Sequence, residues 1–214
     1  VFTYNLSATD VDDTDLSYSA TINGNASLDV TDSILTITPN LNYNGDIAVD
    51  VTISDGELTD TGSFTVTVIS VNDAPVLTNI LNDNINEDGI FTYDLIATDV
   101  DDIDLLYSAT VDDNAIVGVT DSTLTITPDL NYNGDIAVDV TVSDGELTDS
   151  DSFTLTVNPI NDAPVANTAS GETNEDQSVS ITLSGSDIDD DPLTFSLLSD
   201  ALNGSVTIDG TLAT

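Results

Sequence analysis

Aspartate pairs separated by a single residue recur along this sequence and are its best candidates for chemistry. Residues 99–102 read Asp-Val-Asp-Asp, residues 10–13 repeat those four letters, and residues 187–190 read Asp-Ile-Asp-Asp. In an irregular loop this spacing lets both carboxylates turn toward one ion, and hard cations such as Ca²⁺ take several such oxygen ligands. The pattern therefore predicts calcium binding, and a solvated turn is the alternative interpretation.

The overall charge also favours a role for an external cation. The 214 residues include 40 Asp and Glu but no Lys, Arg or His, which gives a formal net charge of -40. No salt bridge between side chains can form, and the mutual repulsion of the carboxylates opposes a compact state. Bound calcium would relieve that repulsion. The alternative is a halophilic or marine surface protein that depends on bulk salt.

An internal repeat of 89 residues organises the chain and places the acidic pairs at equivalent positions. Residues 4–20 recur as residues 93–109, and a third copy begins with an offset of 88. We therefore predict three repeats: residues 1–74, which lack the beginning of a repeat, residues 75–163, which are complete, and residues 164–214, which lack the second half.

The elements that position these acidic loops are predicted to be strands. In residues 136–142 every second residue is apolar, which is typical of a half-buried strand. About seven such strands in ~90 residues, separated by Asn, Asp, Gly and Ser clusters, predict an all-β chain of Ig-like Greek-key sandwiches. The segment 131–134, Asn-Tyr-Asn-Gly, is interpreted as a turn whose Tyr packs on the sandwich, with a ligand loop as the alternative.

Several function classes fit this composition poorly. Nucleic acid and anionic membrane surfaces attract positive charge, so neither is an expected partner. The chain has no His, Cys or Lys to act as a base or nucleophile. Acidic pairs that recur with every repeat suit an architectural role better than a single glycoside-hydrolysing site. We expect no enzymatic activity.

Four motifs in fixed order resemble the cadherin repeat and, more closely, the cadherin-like tandem repeats of large bacterial surface proteins and RTX-type adhesins. They are Asn-Glu-Asp-Gly at 86–89, Ala-Thr-Asp-Val-Asp-Asp at 97–102, Val-Ser-Asp-Gly at 142–145 and Asn-Asp-Ala-Pro at 161–164. In cadherins these motifs supply calcium ligands at the junctions between domains.

The resemblance assigns three groups of calcium ligands to this chain. The junction between repeats 2 and 3 would use Glu87, Asn161, Asp162, Asp187 and Asp189. The junction between repeats 1 and 2 would use Asn72, Asp73, Asp99, Asp101 and Asp144. The outer ends would use Asp10, Asp12, Asp55 and Glu175. Animal cadherins carry acidic residues where this chain reads Leu-Asn-Tyr-Asn at 41–44 and 130–133, so we expect fewer ions per junction or weaker binding.

The resemblance also implies a function and a location. We expect calcium-rigidified spacer repeats of an extracellular bacterial adhesin, with neighbouring repeats of the same chain as partners and no direct membrane contact. One alternative is a self-associating module of a calcium-dependent adhesive fibre or surface layer. A second alternative, a carbohydrate-binding sandwich, lacks an aromatic platform because the chain contains no Trp.

Overall fold

The computed structural model describes residues 1–214 and contains strands but no helix, so the prediction of an all-β chain is confirmed. No helix is therefore available to cross a membrane. The chain divides into two compact units. Unit 1 comprises residues 1–74 together with 99–103, and unit 2 comprises residues 75–98 and 104–214. The predicted repeat boundaries at residues 74 and 163 stay a prediction.

Unit 1 is built from two antiparallel three-stranded sheets. Its strands are β1 (Phe2–Asn5), β2 (Ser17–Ile22), β3 (Ala26–Thr31), β4 (Ile34–Pro39), β5 (Gly45–Ser54) and β6 (Thr59–Val68). One sheet has the order β1-β4-β3 and the other β2-β5-β6. Between them lies a buried core of Leu6, Leu35, Ile37, Ile47, Val49 and Val51. Burial of these side chains drives the packing of the two sheets.

Unit 2 repeats this plan in its first part and adds strands. The strands are β7 (Val76–Leu77), β8 (Asp83–Asn86), β9 (Phe91–Asp94), β10 (Ala97–Thr98), β11 (Leu106–Val111), β12 (Ala115–Thr120), β13 (Thr123–Pro128), β14 (Gly134–Ser143) and β15 (Thr148–Asn158). The sheets have the orders β11-β14-β15-β8 and β12-β13-β9, and β7 pairs with β10. Ile136, Val138, Val140 and Val142 on β14 are all buried, which confirms the predicted alternation.

The outer edge of β15 carries the parallel strand β8. β8 pairs with β15 in register from Leu155 opposite Asp83 to Asn158 opposite Asn86. Ahead of β8, two carboxylates of β15 hold the incoming chain. Asp149 Oδ2 accepts the Leu77 N–H at 2.8 Å, and Asp151 Oδ2 accepts the Ile80 N–H at 2.7 Å. These charge-assisted bonds fasten the chain to β15 on its way from β7 to β8.

The last part of unit 2 contains only short strands. They are β16 (Val165–Ala166), β17 (Ile181–Thr182), β18 (Gly185–Ser186), β19 (Ile208–Asp209) and β20 (Leu212–Ala213). They form a β16-β18 pair and a β17-β20-β19 sheet, and no residue from 164 to 214 is buried. The Asp-Ile-Asp-Asp motif of this segment lies directly after β18.

The Asn-Tyr-Asn-Gly segment at 131–134 has the geometry of a turn. Gly134 has φ +139°, and the ring of Tyr132 packs against the core of unit 2. The Tyr132 hydroxyl donates a hydrogen bond to the Asp135 carbonyl at 2.9 Å. A Cβ on Gly134 would lie 2.9 Å from the Tyr132 hydroxyl oxygen, so the glycine makes room for the tyrosine.

Candidate functional site

Three carboxylates from distant parts of unit 2 converge at one point. One oxygen from each of Glu87, Asp162 and Asp189 lies within 4.8 Å of the other two, and we call these residues the acidic cluster. Glu87 follows β8, Asp162 lies between β15 and β16, and Asp189 follows β18. All three were predicted as ligands of the same junction, and the fold brings them together without any cationic side chain.

Backbone N–H groups hold the acidic cluster in place. Glu87 is only 6% exposed, and its Oε1 accepts a short hydrogen bond from the Ile160 N–H. The Asp162 N–H donates to Asp189 Oδ2 at 2.6 Å. The Asp189 N–H in turn donates to Asp187 Oδ1 at 3.0 Å, so the Asp-x-Asp pair closes on itself. Backbone N–H groups therefore position the carboxylates of Glu87, Asp187 and Asp189.

The electrostatics of the cluster favour a bound cation. Burial raises the pKa of Asp162 above its ordinary value, and the negative charge of Asp189 raises it further, as do, in smaller measure, those of Asp88, Glu87 and Asp187. A buried charge is costly unless it is paired, and no Lys, Arg or His is available to pair with Glu87. The donor set is all oxygen, which is the chemistry that Ca²⁺ requires. The residues present therefore fit calcium.

Asp88 was not predicted as a ligand, but its negative charge acts on Asp162 of the acidic cluster. Its Oδ1 accepts the Asn131 N–H at 3.1 Å, which ties the loop after β8 to the Asn-Tyr-Asn-Gly turn. Its φ of +60° lies in the left-handed region, which Asp tolerates better than most residues. The sequence signal for Asp88 was its place beside Glu87 in the Asn-Glu-Asp-Gly motif. A turn at that motif keeps both acidic residues at the same end of the sandwich.

A second group of acids lies within unit 1. The Asp73 N–H donates to Asp101 Oδ2 at 2.8 Å, the same bond that Asp162 makes to Asp189. The Asp101 N–H donates to Asp99 Oδ1 at 2.7 Å. Asp99 Oδ2 is buried and has no hydrogen-bond partner. A buried carboxylate oxygen without a partner is rare in folded proteins, and a cation would satisfy it.

The remaining predicted ligands occupy different settings. Asp10 and Asp55 line one cavity of about 200 Å³ in unit 1; Asp55 is half-buried, whereas Asp10 and Asp12 are both exposed. Asp55 Oδ1 accepts the N–H groups of Leu58 and Glu57, and these bonds lower the pKa of Asp55.

Of the other four, Asn72 is half-buried in the segment before Asp73, and Asp144 Oδ1 accepts the Glu146 and Leu147 N–H groups within its own turn. Asn161 donates its side-chain amide to the Asp162 carbonyl at 3.1 Å, and Glu175 is exposed. The metal-binding role of all these residues stays a prediction.

Comparison with models of protein families shows to which family the chain belongs. The model of the cadherin-like domain matches residues 6–69 and again residues 71–158. The chain belongs to the cadherin-like domain family. The resemblance drawn from the four motifs is thus confirmed, while a specific relation to RTX adhesins stays a prediction. Residues 161–214, which follow the two cadherin-like matches in the sequence, match the model of a bacterial Ig domain.

Solved structures share the fold of these cadherin-like domains. A crystal structure of mouse protocadherin-24 EC1-3 is 15% identical, with 98% of this chain and 77% of that chain covered and a TM-score of 0.51. Human protocadherin-24 EC1-2 (form II) is 15% identical over 73% and 88% of the two chains, with a TM-score of 0.48. At 15% identity the mouse structure shows the fold alone, and with the family match it confirms the predicted sandwich class.

Two further comparisons gave a weaker similarity or no match. A glycoside hydrolase family 107 endo-fucoidan hydrolase, MfFcnA4_H294Q, is 21% identical over 66% of this chain, with a TM-score of 0.32, and this chain spans only 23% of it. Comparison with proteins of curated function found no match. Cadherin-like and bacterial Ig domains typically lie on extracellular surface proteins, where they act as adhesive or structural modules, and cadherin-like domains generally bind Ca²⁺.

Proposed function

We propose that this chain is a calcium-rigidified spacer of a bacterial cell-surface or secreted adhesive protein and that it has no catalytic role. The convergence of Glu87, Asp162 and Asp189 carries the proposal. Their oxygens are close enough to share one ion, and the three residues come from the end of β8, from the linker after β15 and from the loop after β18.

A shared ion would act as a mechanical restraint. Without it, the three carboxylates repel one another and push the linker residue Asp162 away from both loops. With it, the same charges all attract one point, and the linker loses freedom relative to the strands on either side. The proline two residues after Asp162 adds to this restraint because its φ is fixed. Repetition of such restraints along an array would hold a string of sandwiches extended.

The acids of unit 1 support the same function. Asp73, Asp99 and Asp101 repeat the backbone-to-carboxylate bonding of the acidic cluster, and the unpartnered Asp99 Oδ2 offers a further oxygen. The two acidic groups have the same bonding pattern and stand at equivalent points of the 89-residue repeat. Such recurrence favours an architectural role, since a single active site needs no second copy.

Calcium titration of the full chain by calorimetry tests the proposal, with thermal unfolding and small-angle scattering before and after chelation. We expect chelation to lower the unfolding temperature and to change the solution dimensions. An ion that binds only the folded state adds about 2.7 kcal/mol at a free concentration one hundred times its Kd. If chelation leaves stability and dimensions unchanged, the spacer function proposed here is wrong.

Two variants separate the acidic cluster from general screening of charge. Glu87→Gln keeps an oxygen that can accept the Ile160 N–H but removes the buried charge. It should therefore reduce the stabilisation that calcium gives. Asp139→Asn removes one charge from the exposed face of β14 and should leave the response unchanged. Equal responses of the two variants would assign the calcium effect to bulk screening. Association that grows with protein concentration in calcium would favour the self-associating module.

A further inference from the structure

The chain enters and leaves the second cadherin-like domain along two segments that run side by side in the same direction. This domain matches residues 71–158, with β8 near its start and β15 at its end. Residues 83–86 of β8 pair with residues 155–158 of β15 in parallel register. The relative direction of the entry and exit strands decides how a domain responds when its two ends are pulled apart.

Further hydrogen bonds lengthen this pairing in both directions. In chain order they join Leu77 with Asp149, Ile80 with Asp151, Asn82 with Thr154, Asn84 with Asn158, Glu87 with Asn158 and Glu87 with Ile160. The partners advance together, because the numbers on one side rise from 77 to 87 while those on the other rise from 149 to 160. We call these two segments and the bonds between them the parallel track.

A pull on the two ends of the domain loads the whole parallel track at once. Tension draws the first segment back toward residue 74 and the second forward toward residue 163, and along parallel strands these directions are opposite. The two segments must therefore slide past each other, and the evenly spaced bonds between them share the load. A pull on the two free ends of an antiparallel hairpin such as β14 with β15 instead opens its bonds one after another.

Carboxylates in buried or partly buried positions close the parallel track at both ends. Near its beginning, Ile80 is 4% exposed, and its N–H donates to the carboxylate of Asp151. Near its end, Glu87 is 6% exposed and accepts the Ile160 N–H. Hydrogen bonds to a charged group are stronger than neutral ones, and a low local dielectric strengthens them further. The track is thus fastened most firmly where the load enters and leaves it.

We propose that the second cadherin-like domain is a load-bearing element whose parallel track resists tension applied along the chain. The proposal goes beyond the spacer function, because the track consists of protein groups alone and needs no bound ion. Its resistance depends on direction: it is high when the two ends of the domain are pulled apart and low when the track is opened from one end.

Pulling on single molecules of the full 214-residue chain in two directions tests the proposal. The chain has no Cys, so handles attach only at introduced cysteines. Ala74→Cys with Ala163→Cys gives the end-to-end pull, which loads the track from opposite ends. Ala74→Cys with Glu146→Cys, in the turn ahead of β15, gives the same-end pull, which opens the track from Leu77 onward. All three positions are exposed.

The measured quantity is the lifetime of the folded domain at equal load. It should be at least about tenfold longer in the end-to-end pull, because two bonds that must break together rather than singly already supply that factor. The length gained on unfolding identifies the event, at about 320 Å for the end-to-end pull and about 260 Å for the same-end pull with ~3.6 Å per residue.

Asn84→Ala probes the far part of the parallel track. It removes the acceptor of the Asn158 side-chain amide, which the end-to-end pull loads at once and the same-end pull reaches late. The lifetime should fall about threefold in the end-to-end pull and stay unchanged in the same-end pull. The matched variant Asp139→Ala, on the exposed face of β14, should change neither lifetime. Thermal unfolding verifies that both variants fold.

Both pulls are compared in calcium and in chelator, because an ion held by Glu87 and Asp162 would also lie between the end-to-end handles. Equal lifetimes in the two pulls overturn the proposal, and so does a difference that disappears in chelator while the chain stays folded. If the chain unfolds in chelator, Asn84→Ala in calcium decides, and an equal effect on both pulls or no effect overturns the proposal. A failure of the spacer function in the chelation test leaves the comparison of the two pulls intact.

Discussion

The carboxylate of Asp151 should carry a measurable share of the stability of unit 2. Its Oδ2 accepts the Ile80 N–H at 2.7 Å in a partly buried setting, and its Oδ1 accepts the Ser152 N–H at 2.9 Å. Asp151→Ala leaves the Ile80 N–H without an acceptor. Hydrogen bonds to a charged group contribute about 1.5–3 kcal/mol net. We therefore start from that range as the cost of the substitution.

Loss of one negative charge offsets part of this cost. Two unit charges about 10 Å apart in water repel each other by about 0.4 kcal/mol, and salt screens that further. The expected net loss is thus about 1–3 kcal/mol in the free energy of unfolding of unit 2. Urea denaturation at fixed calcium measures it, and amide hydrogen exchange at Ile80 should speed up in parallel.

A matched variant separates the hydrogen bond from the charge. Asp139→Ala removes a carboxylate from the exposed face of the neighbouring strand β14 and should change the free energy of unfolding by less than about 0.5 kcal/mol. If Asp151→Ala and Asp139→Ala prove equally stable, or if exchange at Ile80 is unaffected, the carboxylate does not fasten the segment ahead of β8.

Two further predictions concern the turn and the acidic cluster. Gly134→Ala should cost about 1–3 kcal/mol in urea denaturation, because φ is +139° and the new Cβ would meet the Tyr132 hydroxyl, while Gly118→Ala, with open space around its Cβ, should be nearly neutral; equal midpoints would contradict this. In calcium-free buffer the raised pKa of Asp162 means that the folded state binds this proton more tightly than the unfolded chain. The contribution of Asp162 to the free energy of unfolding should therefore fall as pH rises above about 3.8, and Asp162→Asn should remove that part of the pH dependence; identical pH profiles would refute the assignment.

Much of the fold follows from the sequence because its signals are local. The alternation over residues 136–142 dictates which side chains face the core, and the 89-residue repeat transfers that result to unit 1. The parallel pairing of β8 does not follow in the same way. Residues 83–86 read Asp-Asn-Ile-Asn, which has little strand character, and the segment is held by contacts with β15 from the far end of the repeat.

The candidate site, too, could be predicted from the sequence only in part. Glu87, Asp162 and Asp189 could be chosen from their motifs, and the structure places them together. The pairing of Asp88 with the Asn131 N–H depends on how two loops meet at one end of the sandwich, which residue spacing alone does not reveal. The burial of Asp99 Oδ2 likewise depends on packing around a single atom.

The two carboxylates of β15 that hold the chain ahead of β8 have a consequence for biosynthesis. Asp149 and Asp151 lie 72 and 71 residues after the N–H groups that they bind. The segment from β7 to β8 therefore leaves the ribosome long before the strand edge that receives it, and that edge is complete only when β15 has joined β14. The first part of this domain to be synthesised is then the last to be fastened, so the domain folds as a unit late in its own translation.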